Sequence, residues 1–143
     1  MHRIILSIGT NFNRESNAKL VKGIISEAFH KVQFSEELLT EPVGNVMSDE
    51  KYLNFLACGF TEDEPEQIVA KTKQMETQCG NTEFLRNEGK IAMDIDLLKY
   101  NDQRFHESDW SRDYVKKLIK QFEEYLKSAT IIQYTIKGRF MNR

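Results

Sequence analysis

The chain has 143 residues, of which 40% are hydrophobic and 29% charged, a balance that suits one globular domain able to bury its own core. Twenty basic residues nearly cancel 22 acidic ones, leaving a formal charge of -2. That balance supplies no single-sign field for following a nucleic-acid backbone or an anionic membrane, so neither partner is expected.

Residues 3–9 (RIILSIG) form an apolar, Ile-rich run ending at Gly9 and predict a buried strand. The run is too short for a signal peptide, because Gly9, Asn11 and Asn13 interrupt it. After the turn at 10–13, apolar residues recur at Leu20, Val21, Ile24, Ile25, Ala28 and Phe29, the spacing of an amphipathic helix. Residues 31–40 predict a second strand and residues 51–60 a third. Between them, Pro42, Gly44, Asn45, Ser48 and Asp49 predict a long, mobile loop.

Thr61 and Asp63 offer caps for a second helix over about 64–78, with Ile68, Thr72, Met75 and Cys79 on one side and Gly80 as its stop. Residues 81–90 are polar and read as irregular, and 91–100 (IAMDIDLLKY) predict a fourth strand. Asp109 or Ser111 can cap a third helix, whose stripe is Val115, Leu118, Ile119, Phe122 and Leu126. Ile132, Tyr134 and Ile136 then alternate with polar residues, as in an edge strand or a partner-facing tail.

The order strand–helix–strand–strand–helix–strand is the split βαβ plan. The expected fold is α+β and ferredoxin-like (βαββαβ), a mostly antiparallel sheet with helices on one face, plus a C-terminal helix and edge strand. With no linker or repeat, residues 1–143 are expected to form a single domain. Cys58 and Cys79 lack the clustered partners of a zinc site and read as buried thiols of a reducing compartment. No stretch of about 18 apolar residues is present to span a membrane, and a cytoplasmic protein is expected.

The most informative segment is Met93-Asp94-Ile95-Asp96-Leu97. In a strand, side chains at i and i+2 project from one face, so Asp94 and Asp96 aim two carboxylates at one point. Two anions so placed repel unless a cation lies between them, and hard oxygen donors suit magnesium. A solvated strand face without metal is the other reading of the same motif.

Several short segments in order resemble one family. Gly89 to Leu98 (GKIAMDIDLL) is similar to the Gly-Pro-Arg-x-x-Asp-(Leu/Ile)-Asp-(Leu/Ile)-Leu motif of the 6-hydroxymethyl-7,8-dihydropterin pyrophosphokinases. Ser7 to Asn11 resembles that family's opening strand, Thr40 to Gly44 its Thr-x-Pro-x-Gly turn, and Tyr52-Leu53-Asn54 its (Phe/Tyr)-Leu-Asn. Glu76 before Gly80, the five-residue gap between His106 and Arg112, and the aromatic Tyr114 continue the likeness. It covers residues 3–115, leaving 116–143 as a divergent C-terminal extension.

The resemblance implies transfer of pyrophosphate from ATP to the hydroxymethyl group of a reduced pterin, a step of folate biosynthesis. By the same likeness, Asp94 and Asp96 would hold two Mg²⁺ ions, with ATP as co-substrate. Thr40, Val43, Tyr52, Asn54 and Tyr114 would bind the pterin, and Glu76, Leu97, His106 and Arg112 would bind ATP. The family carries an arginine where this chain has Asn81 and another where it has Ile91. Arg86 and Lys90, in the same loop, are therefore the candidate catalytic cations. Two alternatives stand beside the enzyme: a non-catalytic descendant that binds a ligand or a protein partner, and a ferredoxin-like interaction domain self-associating through its C-terminal helix or strand.

Overall fold

A computed structural model describes residues 1–42 and 50–124. The expected edge strand at 132–136, Leu126, Val43 and most of the expected loop lie outside the described residues. The order is β1 (His2–Thr10), α1 (Arg14–Ala28), β2 (His30–Phe34), β3 (Leu38–Thr40), β4 (Tyr52–Thr61), α2 (Pro65–Gln78), α3 (Glu83–Asn87), β5 (Asp94–Tyr100) and β6 (Gln103–Arg104). A 3₁₀ turn at Glu107–Ser111 leads into α4, residues 113–124.

The strands form one sheet in the order β2-β4-β1-β5-β6, with β3 also paired to β4 and every pairing antiparallel. β1, at the centre, receives β4 on one side and β5 on the other, which is the ferredoxin-like split βαβ arrangement. The expected strand at 31–40 is two strands: the Ser35 N–H still donates to the Leu56 carbonyl at 2.9 Å, but the Ser35 hydroxyl takes the place of a backbone carbonyl and accepts from the Leu56 N–H at 2.8 Å. β6 is a two-residue hairpin partner of β5 that no sequence periodicity marks.

Alternation along the three central strands divides the sheet into unlike faces. Ile4, Leu6 and Ile8 of β1, Leu53, Phe55 and Ala57 of β4, and Ile95 and Leu97 of β5 join one buried cluster. α1 and α2 cover it with Val21, Ile25, Ile68 and Met75. Leu20, expected on the core side of α1, is 46% exposed, since Asn17, Ala18, Val21 and Ile25 set the buried stripe one residue away from it. α2 starts from a capping box in which Glu64 and Gln67 satisfy each other's backbone N–H groups, with Pro65 in the first turn. Glu64 is therefore the cap, in place of the expected Thr61 or Asp63.

The opposite face changes character along its length. At one end Ile5, Leu56, Cys58 and Leu98 are apolar and are covered by Val115, Leu118 and Phe122 of α4. Helices thus lie on both faces of the sheet, two on one side and α4 on the other. At the other end the same face presents Ser7, Gly9, Asn54, Asp94 and Asp96, which have no apolar surface to offer a helix, and that stretch stays open. Where the register slips between Ile5 and Leu6, Leu98 is the extra residue on β5, a bulge at the boundary between covered and open sheet.

Candidate active site

The open stretch is the floor of a cleft of about 200 Å³ lined by Ser7, Gly9, Thr40, Tyr52, Asn54, Asp94, Asp96, Asp109, Arg112 and Tyr114 together with Glu41. Across the strands, Asn54 faces Gly9 and Gly9 faces Asp94, so one row of the sheet carries an amide, a gap and a carboxylate. A Cβ on Gly9 would meet Asn54 Oδ1 at 2.8 Å, closer than carbon and oxygen tolerate. Glycine at this position lets the floor stay flat. Asn54 is buried at 6% exposure, and its amide donates to the Thr40 hydroxyl on the neighbouring β3.

Asp94 and Asp96 project together, while Ile95 between them is buried on the opposite face. Their side chains remain 50% and 38% exposed. Burial, then the neighbouring Asp94 charge, pushes the Asp96 carboxyl above the usual carboxylate range, with His106 opposing. His106 Nε2 lies 3.9 Å from Asp96 Oδ1. The His106 backbone is left-handed, at φ 55, a conformation rarely adopted outside glycine and asparagine. Six residues on, Arg112 Nη2 lies 3.3 Å from Asp109, whose carboxylate is only 18% exposed. Although burial opposes its charge, Arg112 is held above its ordinary pKa by the Tyr114 hydroxyl and by Asp109.

Glu76, at the end of α2, reaches the start of β5 and accepts from the Ile95 backbone N–H at 2.8 Å. Burial raises its carboxyl, and the adjacent Asp94 adds to the shift. Tyr52 is likewise pushed up by burial and by Asp94. Glu76 thus stands next to Asp94 behind the cleft, whose floor carries Asp94 and Asp96.

The segment expected to be irregular contains α3, too short to leave a periodic signal. Its Arg86 Nη2 stands 3.7 Å from Asp94 Oδ1. Lys90, the second expected cation, points elsewhere: it pairs with Glu88 at 3.2 Å and sits over the Phe12 ring, in a separate polar hollow. The Leu97 side chain is in the core under α1 and α2, so that residue presents only backbone toward any ligand in the cleft. Val43 lies outside the described residues. Ser7, Gly9, Glu41 and Asp109 also line the cleft, though none of them stood out as a ligand-binding residue in the sequence. Ser7 and Gly9 shared a recognisable motif with Asn11, whereas nothing in the sequence marked Asp109 as more than a helix cap.

The donor set fits a hard divalent cation. Asp94 adds to the cost of charging the partly exposed Asp96, and among the described residues no group of three or more His, Cys, Asp and Glu forms a closed cage. Magnesium is usually held in that manner, by one or two carboxylates with substrate oxygens completing its shell.

A ferredoxin-like domain whose sheet opens into a carboxylate-floored, arginine-rimmed cleft is therefore the class of protein in hand. Residues 5–124 match the family described as 7,8-dihydro-6-hydroxymethylpterin-pyrophosphokinase (HPPK), and the chain belongs to that family. Membership supports pyrophosphokinase activity in folate synthesis in general terms. A search of curated proteins found no match. No helix among the described residues is long and apolar enough to cross a membrane.

Proposed function

We propose that the chain transfers the terminal pyrophosphoryl group of ATP to the hydroxymethyl oxygen of 6-hydroxymethyl-7,8-dihydropterin. The oxygen attacks the β-phosphorus, the bond from that phosphorus to the α–β bridging oxygen breaks, AMP leaves, and the hydroxyl proton passes to solvent. The observation that carries this reading is the pair Asp94 and Asp96 on the uncovered stretch of the sheet face, facing Gly9 and Ser7.

Asn54 and Thr40, already hydrogen-bonded to each other, offer an amide and a hydroxyl to the polar edge of a pterin. Tyr52 and Tyr114 supply the aromatic surface beside them, a few placed polar groups in an aromatic slot being the usual recipe for such a ligand. His106, Arg112 and Arg86 ring the carboxylates and would neutralise phosphate oxygens. Glu76 fixes the start of β5 and hence the aim of Asp94. Two Mg²⁺ ions held by Asp94 and Asp96 would contribute charge neutralisation and alignment, the demands that phosphoryl-type transfer makes of a protein. Residues 1–143 act as one domain in this reading.

The position of Lys90, paired with Glu88 outside the cleft, favours a second reading in which the cleft binds these ligands without turnover, since fewer cations face the phosphates. AMP release from ATP, measured with Mg²⁺ and the reduced pterin, separates the two. Release that depends on the pterin and is abolished by Asp96→Ala supports the transferase. Binding of both ligands with no AMP supports the second reading.

A further inference from the structure

Arg86 is anchored by more than its contact with Asp94. An exposed pair at 3.7 Å holds a long side chain weakly, because side-chain freedom and solvent screening offset the attraction. The firm partner is Asn81. With its amide oxygen turned to the guanidinium, Asn81 accepts from Arg86 Nη2 at 2.6 Å and from Nε at 3.0 Å. The opposite orientation would set an NH₂ against a guanidinium, donor against donor, so hydrogen bonding fixes the amide.

Asn81 is itself tied down. It follows Gly80, whose φ of 92 turns the chain out of α2, and its backbone N–H donates to the Glu76 carbonyl at 3.1 Å. The Thr82 hydroxyl caps α3 by accepting from the Leu85 N–H. Beyond α3, the Asn11 side chain donates to the Gly89 carbonyl at 2.9 Å and accepts from the Ile91 N–H at 2.6 Å. One end of the Arg86 segment is therefore tied to the last turns of α2 and the other to Asn11, the residue that follows β1.

We propose that Asn81 is a positioning residue that holds the Arg86 guanidinium beside Asp94, pre-aimed at the polyphosphate chain of a nucleotide in the cleft. Asn81 engages one N–H on Nε and one on Nη2, and the other three N–H groups of the fork lie outside that contact. The ordering of a long, flexible side chain is thus completed before the ligand arrives, which is how preorganisation raises affinity. This inference rests on the nucleotide-binding reading above and goes beyond it by giving Asn81, which touches no substrate, a defined task.

The test is calorimetric titration of α,β-methylene-ATP with Mg²⁺, and separately of a pterin analogue, into the full chain and its Asn81→Leu, Arg86→Gln and doubly substituted forms. Each single substitution is expected to weaken nucleotide binding about tenfold, the scale of one lost charge-assisted hydrogen bond, with pterin affinity unchanged. The double variant should bind no more weakly than Arg86→Gln alone, since Asn81 acts only through that arginine. Wild-type nucleotide affinity in Asn81→Leu, losses that multiply in the double variant, or a parallel fall in pterin affinity would each overturn the proposal while leaving the proposed function standing. Failure of the wild-type chain to bind the nucleotide analogue would overturn both.

Discussion

Replacing Asp96 by asparagine should make the ligand-free protein more stable and its cleft unresponsive to magnesium. Along a strand, residues i and i+2 are about 6.6 Å apart, from a rise of about 3.3 Å per residue. Both carboxylates are partly exposed, so an effective dielectric of about 40–80 applies, and their repulsion is about 0.6–1.3 kcal/mol. The neutral amide would remove that repulsion and the cost of half-burying a charge, and would give up the weaker attraction of His106. The net gain is about 1 kcal/mol, or about 3 °C in Tm for a chain of this size.

The sign also fixes a pH dependence. A carboxyl whose pKa is raised on folding destabilises the folded state at neutral pH. That penalty fades as pH falls through the raised folded value toward the unfolded value of about 3.9. The Tm difference between Asp96→Asn and wild type should therefore be largest near pH 7 and shrink toward pH 4. Thermal unfolding with and without Mg²⁺ and α,β-methylene-ATP provides the assay. Saturation at about 100 times Kd should stabilise the wild type by about 2.7 kcal/mol and the variant by far less. A destabilised variant in the absence of ligand, or one that keeps the full magnesium-dependent gain, would refute the picture of two carboxylates sharing a cation.

Gly9→Ala should cost about 1–3 kcal/mol by overpacking, because its Cβ would arrive 2.8 Å from Asn54 Oδ1, and should weaken pterin binding as Asn54 moves. Chemical denaturation and a pterin titration check the two parts. Asn11→Ala removes both side-chain bonds to the 89–91 connection and leaves the Ile91 N–H without its acceptor. A loss of about 1–3 kcal/mol is expected, with hydrogen exchange accelerating first at Ile91. Phe55→Ala, at a fully buried position on the face covered by α1 and α2, should cost about 3–5 kcal/mol in urea unfolding.

Much of the layout was written in the order of residues. The apolar run of β1 and the three-four spacing of Val21/Ile25 and of Ile68/Thr72/Met75 are local signals, because strand and helix character act over neighbouring residues. The common side of Asp94 and Asp96 followed from the same period, since it requires only that one short segment be a strand. The interruption of residues 31–40 at Ser35 depends on the Leu56 N–H, 21 positions away, and left no local trace. α3 spans five residues, fewer than two turns, too few for a periodic pattern.

Which charged groups meet was settled only in three dimensions. Arg86 and Lys90 lie four residues apart with equal claims in the sequence, yet the end of α3 turns one toward Asp94 and the other over Phe12. Asp109 lines the cleft three residues beyond the left-handed turn at His106, a placement that depends on how the 3₁₀ turn and α4 dock on the sheet. The need for glycine at position 9 comes from Asn54 on the neighbouring strand, 45 positions further along. Local sequence sets the conformation of a few successive residues, whereas the approach of distant side chains depends on strand register and helix docking, which only the packed chain fixes.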